Sequence, residues 1–219
     1  MEFPHFVKVT IDIAPQKPLN TPLMFKCYTK CTLFEAVIMK VILIGEEHIG
    51  AQGPCILLEI LQELKHQEVA CSLGLEIPSL ECVDNLYSIG DATKNDWLLA
   101  QLQRKLFILS AMEIFPAFAA DLANKEKERA VRDKIMAEKI FDRNEDVVVM
   151  LVGALHLEGI SRHLKTSGIE VLCLAPQSPL AMLLFPSIGQ HISSENGFFY
   201  NSECESISHA KQRISQFVH

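Results

Sequence analysis

Val41-Ile42-Leu43-Ile44-Gly45-Glu46-Glu47-His48 and Val149-Met150-Leu151-Val152-Gly153-Ala154-Leu155-His156 share one pattern: four apolar residues, a glycine, two further residues and a histidine. Unbroken runs rich in β-branched residues suit strands buried on both faces, as in the centre of a parallel sheet. Each glycine is expected to let the chain turn as it leaves the sheet. Each histidine is expected to open the following helix at the carboxyl edge, where open α/β sheets collect ligands. If the two strands are neighbours, about 4.8 Å apart, their imidazoles converge. Glu76 ends a third apolar run, Val69 to Ile77, just before Pro78, and belongs to the same edge. One rim is therefore expected to gather Glu46, His48, Glu76 and His156.

Working outward, Ile56, Leu57, Ile60, Leu61 and Leu64 recur at helical spacing between the first strand and the run ending at Glu76. The second strand leads into a helix over Leu157–Thr166 and then a strand over Ile169–Leu174. These are two βαβ units, and they predict an α/β fold with a mostly parallel central sheet flanked by helices. Between them, residues 95–142 read as a helical insertion interrupted at Pro116, with Leu98, Leu99, Leu102, Leu106 and Leu109 as one buried stripe. Phe6–Ile13 alternates strictly, as a half-exposed edge strand does, and Pro15, Pro18 and Pro22 follow it. The expected organisation is a single domain: an N-terminal edge strand or hairpin over 1–38, an α/β core over 40–175, and an extension over 176–219. In that extension a short strand is expected near Phe198–Tyr200 and a terminal helix near Glu205–Phe217.

The 219 residues are 49% hydrophobic, ample for a packed core. A net charge of −7 opposes a nucleic-acid or anionic-membrane partner. The cluster from Lys125 to Arg132 includes Glu126 and Glu128, as a solvated helix face does. Seven cysteines at irregular spacing suit buried reduced thiols better than a disulfide framework, since Cys27 and Cys31 have no second pair nearby to complete a zinc site. The start of the chain lacks the pattern of a signal peptide and no apolar run is long enough to span a bilayer, so a cytoplasmic location is expected.

Gly45, Gly50 and Gly53 follow a strand as a phosphate loop would. Yet Glu46 and Glu47 stand where phosphate oxygens need donors, and G-x-G-x-x-G and a Walker lysine are both missing. The G-x-S-x-G elbow of serine hydrolases is missing too. His163 lies seven residues after His156, about 10.5 Å further along a helix axis, too far to share one ion with it. Glu158 and Arg162, four apart, read as a helix salt bridge.

Gly45-Glu46-Glu47-His48, Leu75-Glu76-Ile77, Arg132-Asp133-Lys134-Ile135-Met136-Ala137-Glu138-Lys139-Ile140 and Val152-Gly153-Ala154-Leu155-His156 occur in that order. Over about residues 40–175 this resembles the Tiki/TraB/ChaN/erythromycin-esterase superfamily, whose members share two G-x-x-H motifs, a strand-end glutamate and an arginine helix. The resemblance implies a rim site of His48, His156, Glu46, Glu76 and Arg132. The superfamily includes metal-dependent proteases that inactivate Wnt ligands, TraB-type proteins that limit peptide pheromone, macrolide esterases and haem-binding lipoproteins. A related fold occurs in some bacterial toxins.

Several readings stay open at this stage. One is a metal-assisted hydrolase of peptide or ester bonds, in which His48, His156 and Glu76 bind a divalent ion (Mn, Co or Zn) that activates water. Glu46 or Glu76 would take the proton, and Arg132 would stabilise an oxyanion or orient a carboxylate. The same histidines could instead act as acid and base without metal. The other readings are a haem- or ligand-binding protein using the same rim, and a catalytically silent toxin- or effector-like domain. The expected partner is a peptide or small-molecule substrate.

Overall fold

The computed structural model describes residues 39–48, 50–85, 95–122, 128–177, 197–200 and 204–219. The expected strand over Phe6–Ile13 and the pair Cys27 and Cys31 lie outside them. Six strands form one all-parallel sheet: β1 (Lys40–Glu46), β2 (Cys71–Leu75), β3 (Ala117–Ala119), β4 (Val147–Gly153), β5 (Glu170–Pro176) and β6 (Gly197–Tyr200). The described helices are α1 (Gln52–His66), α2 (Cys82–Asn85), α3 (Asn95–Ile114), α4 (Arg129–Phe141), α5 (Leu157–Thr166) and α6 (Cys204–Val218). None of the described helices is long and apolar enough to cross a membrane.

Across the sheet the order is β3-β2-β4-β1-β5-β6. The two βαβ units are therefore interleaved: β4 fills the gap between β1 and β2, and β1 fills the gap between β4 and β5. The first unit moves two places toward one edge with α1 on one face. The second moves two places toward the other edge with α5 on the opposite face. Reversing both direction and face preserves the hand of the crossover, as right-twisted strands require. The outcome is three layers. Residues Ile42, Ile44, Val149 and Leu151 pack under α1, α3 and α6. Their pleat neighbours Val41, Leu43, Val148 and Met150 pack under α4 and α5. Because both faces are covered, β1 and β4 bury nearly every side chain, which is why they read as continuous apolar runs.

Adjacent strands whose following helices leave to opposite faces open a crevice at their carboxyl ends. β1 and β4 are that pair. The register aligns Gly45 with Val152 and Glu46 with Gly153, so the two G-x-x-H motifs sit one residue out of step.

Three expectations are corrected here. The tract Ala117–Ala119, read as an interruption at Pro116, is a strand paired with β2. It is too short to show alternation and has little intrinsic β-propensity. In α3, Leu102 and Leu106 are exposed, at 48% and 63%, while Gln101, Arg104, Ile108 and Ala111 form the buried face. Leu109 is half-buried, and the side chains of Leu98 and Leu99 lie outside those described. Finally, Gly45 and Gly153 do not turn the chain through a left-handed conformation, since Gly168 is the one described glycine with positive φ. They permit close approach: a Cβ on Gly45 would lie 2.6 Å from the Leu157 side chain.

Of the described cysteines, Cys71 and Cys173 are buried thiols, whereas Cys55 and Cys82 are half-buried. Burial pushes Cys71 up to about 12 and Cys173 up to about 11, so neither is a ready nucleophile.

Candidate functional site

Eight polar or charged residues are buried among those described, and six stand at the carboxyl edge around β1 and β4: Glu46, Gln101, Arg104, Asp121, Asp133 and His156. Buried charge is costly unless it is paired. Its concentration at one edge therefore marks a constructed polar centre within an otherwise apolar core.

On the α3 side, Glu46 closes β1 with its side chain 4% exposed. Arg104 grips it with two donors: Nε lies 3.0 Å from Oε2, and a terminal nitrogen lies against Oε1. His48 Nδ1 lies 2.9 Å from Glu46 Oε1. A carboxylate only accepts, so this contact requires Nδ1–H and leaves Nε2 with its lone pair in the neutral ring. Contrary to expectation, His48 does not open a helix. It stands four residues before α1 in a left-handed conformation, φ 59°, and its carbonyl accepts a hydrogen bond from Gln101 Nε2 at 3.4 Å. A non-glycine residue there carries about 1–2 kcal/mol of strain. Its ring is half exposed, at 50%.

On the α4 and α5 side, Glu76 follows β2 and is the hub. Its Oε1 accepts from Arg132 at 2.7 Å and lies 3.3 Å from His156 Nε2. Its Oε2 accepts the backbone N–H of Gly153 at 2.5 Å and lies 3.7 Å from His48 Nε2. Arg132, near the start of α4, also donates from Nε and a terminal nitrogen to Asp121 at 3.0 and 2.6 Å. His156 ends a 3-10 turn (Ala154–His156) at the N-cap of α5, and its Nδ1 lies 2.5 Å from Asp133 Oδ1. The halves meet over Gly153. A Cβ there would lie 2.5 Å from His48 Nε2 and 3.2 Å from Glu76 Oε2, so the glycine leaves the space through which the first histidine reaches the hub.

All five residues expected at the rim are thus brought together, with both imidazole Nε2 atoms directed at opposite oxygens of Glu76. Sequence reading missed four supporting groups: Gln101, Arg104, Asp121 and Asp133. Asp133 adjoins Arg132, so that motif held a signal for it. Gln101 and Arg104 were hidden by the leucines of α3, which offered a more apolar face than the one actually buried.

Burial alone would lower the pKa of His156, but its bonds to Asp133 and Glu76 outweigh this and raise it to about 9. Burial likewise would raise Glu76, yet the bond from His156, its charge and the Gly153 N–H bring it down to about 2. His156 is therefore an imidazolium donating from both nitrogens at neutral pH. For Arg132, the Asp121 hydrogen bond is the main cause of an upward shift.

A dependence of stability on pH follows. The Glu76 contribution is complete above its unfolded value near 4.5 and is lost as pH falls toward 2. The His156 contribution is complete below 6.5 and is lost as pH rises through about 9. The two share one ion pair and amount to about 2–3 kcal/mol together rather than twice that. Melting temperature is expected to peak between about pH 4.5 and 6.5 and to fall on both sides. A flat profile from about pH 6 to about pH 10 would contradict the paired imidazolium.

The set does not fit a metal ion as arranged. Both Oε1 lone pairs of Glu76 are engaged by cations, His156 has no free ring nitrogen, and a guanidinium lies where an ion on that carboxylate would bind. Among the described residues no group of three His, Cys, Asp or Glu is placed to hold one. The same commitments of His156 leave no free ring nitrogen there for haem iron, and His48 Nε2 faces Glu76 Oε2 at 3.7 Å.

No family model matches the chain, and no curated protein matches it. Among solved structures it is similar to a de novo designed protein with a P-loop NTPase fold, at 14% identity and TM-score 0.45, over 82% of this chain and 90% of that one. It is also similar to RRSP, a MARTX toxin effector domain from Vibrio vulnificus, at 21% identity and TM-score 0.40, over 62% of this chain and 33% of that one. A third is the type III effector HopBA1, at 14% identity and TM-score 0.44, over 63% of this chain and 77% of that one. The chain thus spans about a third of RRSP and most of the other two. Similarity this slight carries no information on chemistry.

Proposed function

We propose that the crevice between β1 and β4 is the active site of a hydrolase acting on an ester or peptide carbonyl, with His48 as general base and His156 as a fixed charged donor. The observation that carries this reading is the pair of histidines on one carboxylate in opposite states of engagement. His48 offers a half-exposed ring whose Nε2 stands 3.7 Å from Glu76 Oε2, beyond hydrogen-bond distance, while His156 is buried with both nitrogens donating. Environments that separate two like groups in this way assign them different roles.

In the reaction, His48 Nε2 takes a proton from water as the water oxygen bonds to the carbonyl carbon. Glu46 holds the ring by its Nδ1–H and stabilises the imidazolium formed, as a carboxylate does behind a catalytic histidine. The imidazolium of His156 and the Arg132 guanidinium offset the charge of Glu76 beside the crevice, which lowers the cost of the negative charge that grows on the carbonyl oxygen. Collapse breaks the bond to the leaving alcohol or amine, which receives the proton from His48. Arg132 also orients carboxylates, engaging Asp121 and Glu76 together. The resemblance to the superfamily of esterases and proteases supports the reading.

The test is turnover of nitrophenyl esters and fluorogenic peptides, with and without a chelator. Hydrolysis that survives chelation and falls about 10²–10⁴-fold in His48→Ala is expected. Activity abolished by chelation and restored by one divalent ion would overturn the assignment of His48 as the base.

A further inference from the structure

Asp133 follows Arg132 directly on α4, yet the two serve different partners. Successive helix positions diverge by about 100°. Arg132 therefore reaches Glu76 and Asp121, while Asp133 turns toward α5 and His156. The side chain of Asp133 is 6% exposed, and it occupies a space the fold keeps open: a Cβ on Gly159 would lie 1.9 Å from Oδ2 and 2.5 Å from Cγ. Gly159 stands in the first turn of α5, three residues after His156. Glycine is a poor helix former, and Gly159 has no positive φ to require it.

We infer that Asp133 is a positioning residue for His156, and that Gly159 exists to admit it. An imidazole bonded through one nitrogen can rotate about its Cβ–Cγ bond. Bonded to Asp133 through Nδ1 and to Glu76 through Nε2, it cannot rotate without losing both. Asp133 thereby holds Nε2 on the crevice side. The motif is read as Asp133 on α4 with His156-x-x-Gly159 at the start of α5. The inference rests on the reading of His156 as the charged donor of the site.

The test is the NMR signal of the His156 Nδ1–H in the full chain, identified by its disappearance in His156→Gln. In the wild type it is expected downfield, as a short charge-assisted hydrogen bond requires. Asp133→Asn, which keeps shape but not charge, is expected to move it upfield. Gly159→Ala is expected to abolish it and to lower the melting temperature, although glycine-to-alanine changes within helices ordinarily raise it. Asp133→Ala placed in the Gly159→Ala background is expected to relieve the clash and recover part of the lost stability, without restoring the signal. An unchanged signal in Gly159→Ala would overturn the inference. Should that variant not fold, an unchanged signal in Asp133→Asn would do the same. Since the readout needs no substrate, it can fail while turnover stands and succeed on a protein that hydrolyses nothing.

Discussion

Glu76→Ala is expected to destabilise the protein by about 3–5 kcal/mol, the usual consequence of removing one partner from a buried ion pair. The loss exceeds that of a single hydrogen bond because three donors depend on this carboxylate: Arg132, the Gly153 N–H and His156. Asp121 still engages Arg132 and Asp133 still engages His156, but the buried imidazolium and the half-buried guanidinium would then share fewer counter-charges. Gly153 would leave an unpartnered N–H beside the central strand. In a body of this size each kcal/mol moves the melting temperature by about 2–4 °C, so a drop near 10 °C or more is expected. Glu76→Gln keeps the shape and one acceptor and should lose less. Denaturant unfolding at about pH 6, where the ion pair is complete, measures both. A cost within about 1 kcal/mol for the alanine variant would show that Glu76 is not the hub.

Replacing His48 is expected to separate function from stability. His48→Ala and His48→Gly both remove the ring, and each should lower hydrolysis about 10²–10⁴-fold, the range for loss of a general base. Their stabilities should differ. Alanine keeps the strain of the left-handed conformation at φ 59°, whereas glycine adopts it freely. After allowing for the greater unfolded-state freedom of glycine, His48→Gly should be about 1 kcal/mol more stable than His48→Ala. Little else changes between them, because the ring is half exposed and Glu46 retains both bonds from Arg104. Paired thermal melts test this. Equal stability would mean that the backbone at residue 48 is not held where the site needs it. Such strain is expected where a surrounding network over-determines a functional side chain. Here Gln101, Arg104 and Glu46 form that network.

The sequence by itself determined the layers and the two look-alike strands. Apolar periodicity is local information, and it marked β1 and β4 as buried on both faces, the helix over Leu157–Thr166 to the residue, and the short strand and helix of the tail. The residues at strand ends followed, because a strand end delivers its next side chains to the rim wherever the strand lies. Tertiary structure alone decided the rest. Strand order is set by long-range pairing, so interleaving of the βαβ units, and with it the crevice between β1 and β4, could not be read from either unit. The buried face of α3 was decided against hydrophobicity: Glu46 is buried and must be paired, which draws in Arg104 while Leu102 and Leu106 face outward. Gly153 and Gly159 look like ordinary strand-end and helix glycines until the side chains occupying their missing Cβ positions, His48 and Asp133, are in place. Burial of apolar surface is proportional to area and direction-free, so a linear pattern records it. Pairing of buried charges depends on which elements meet, and only the folded chain brings them together.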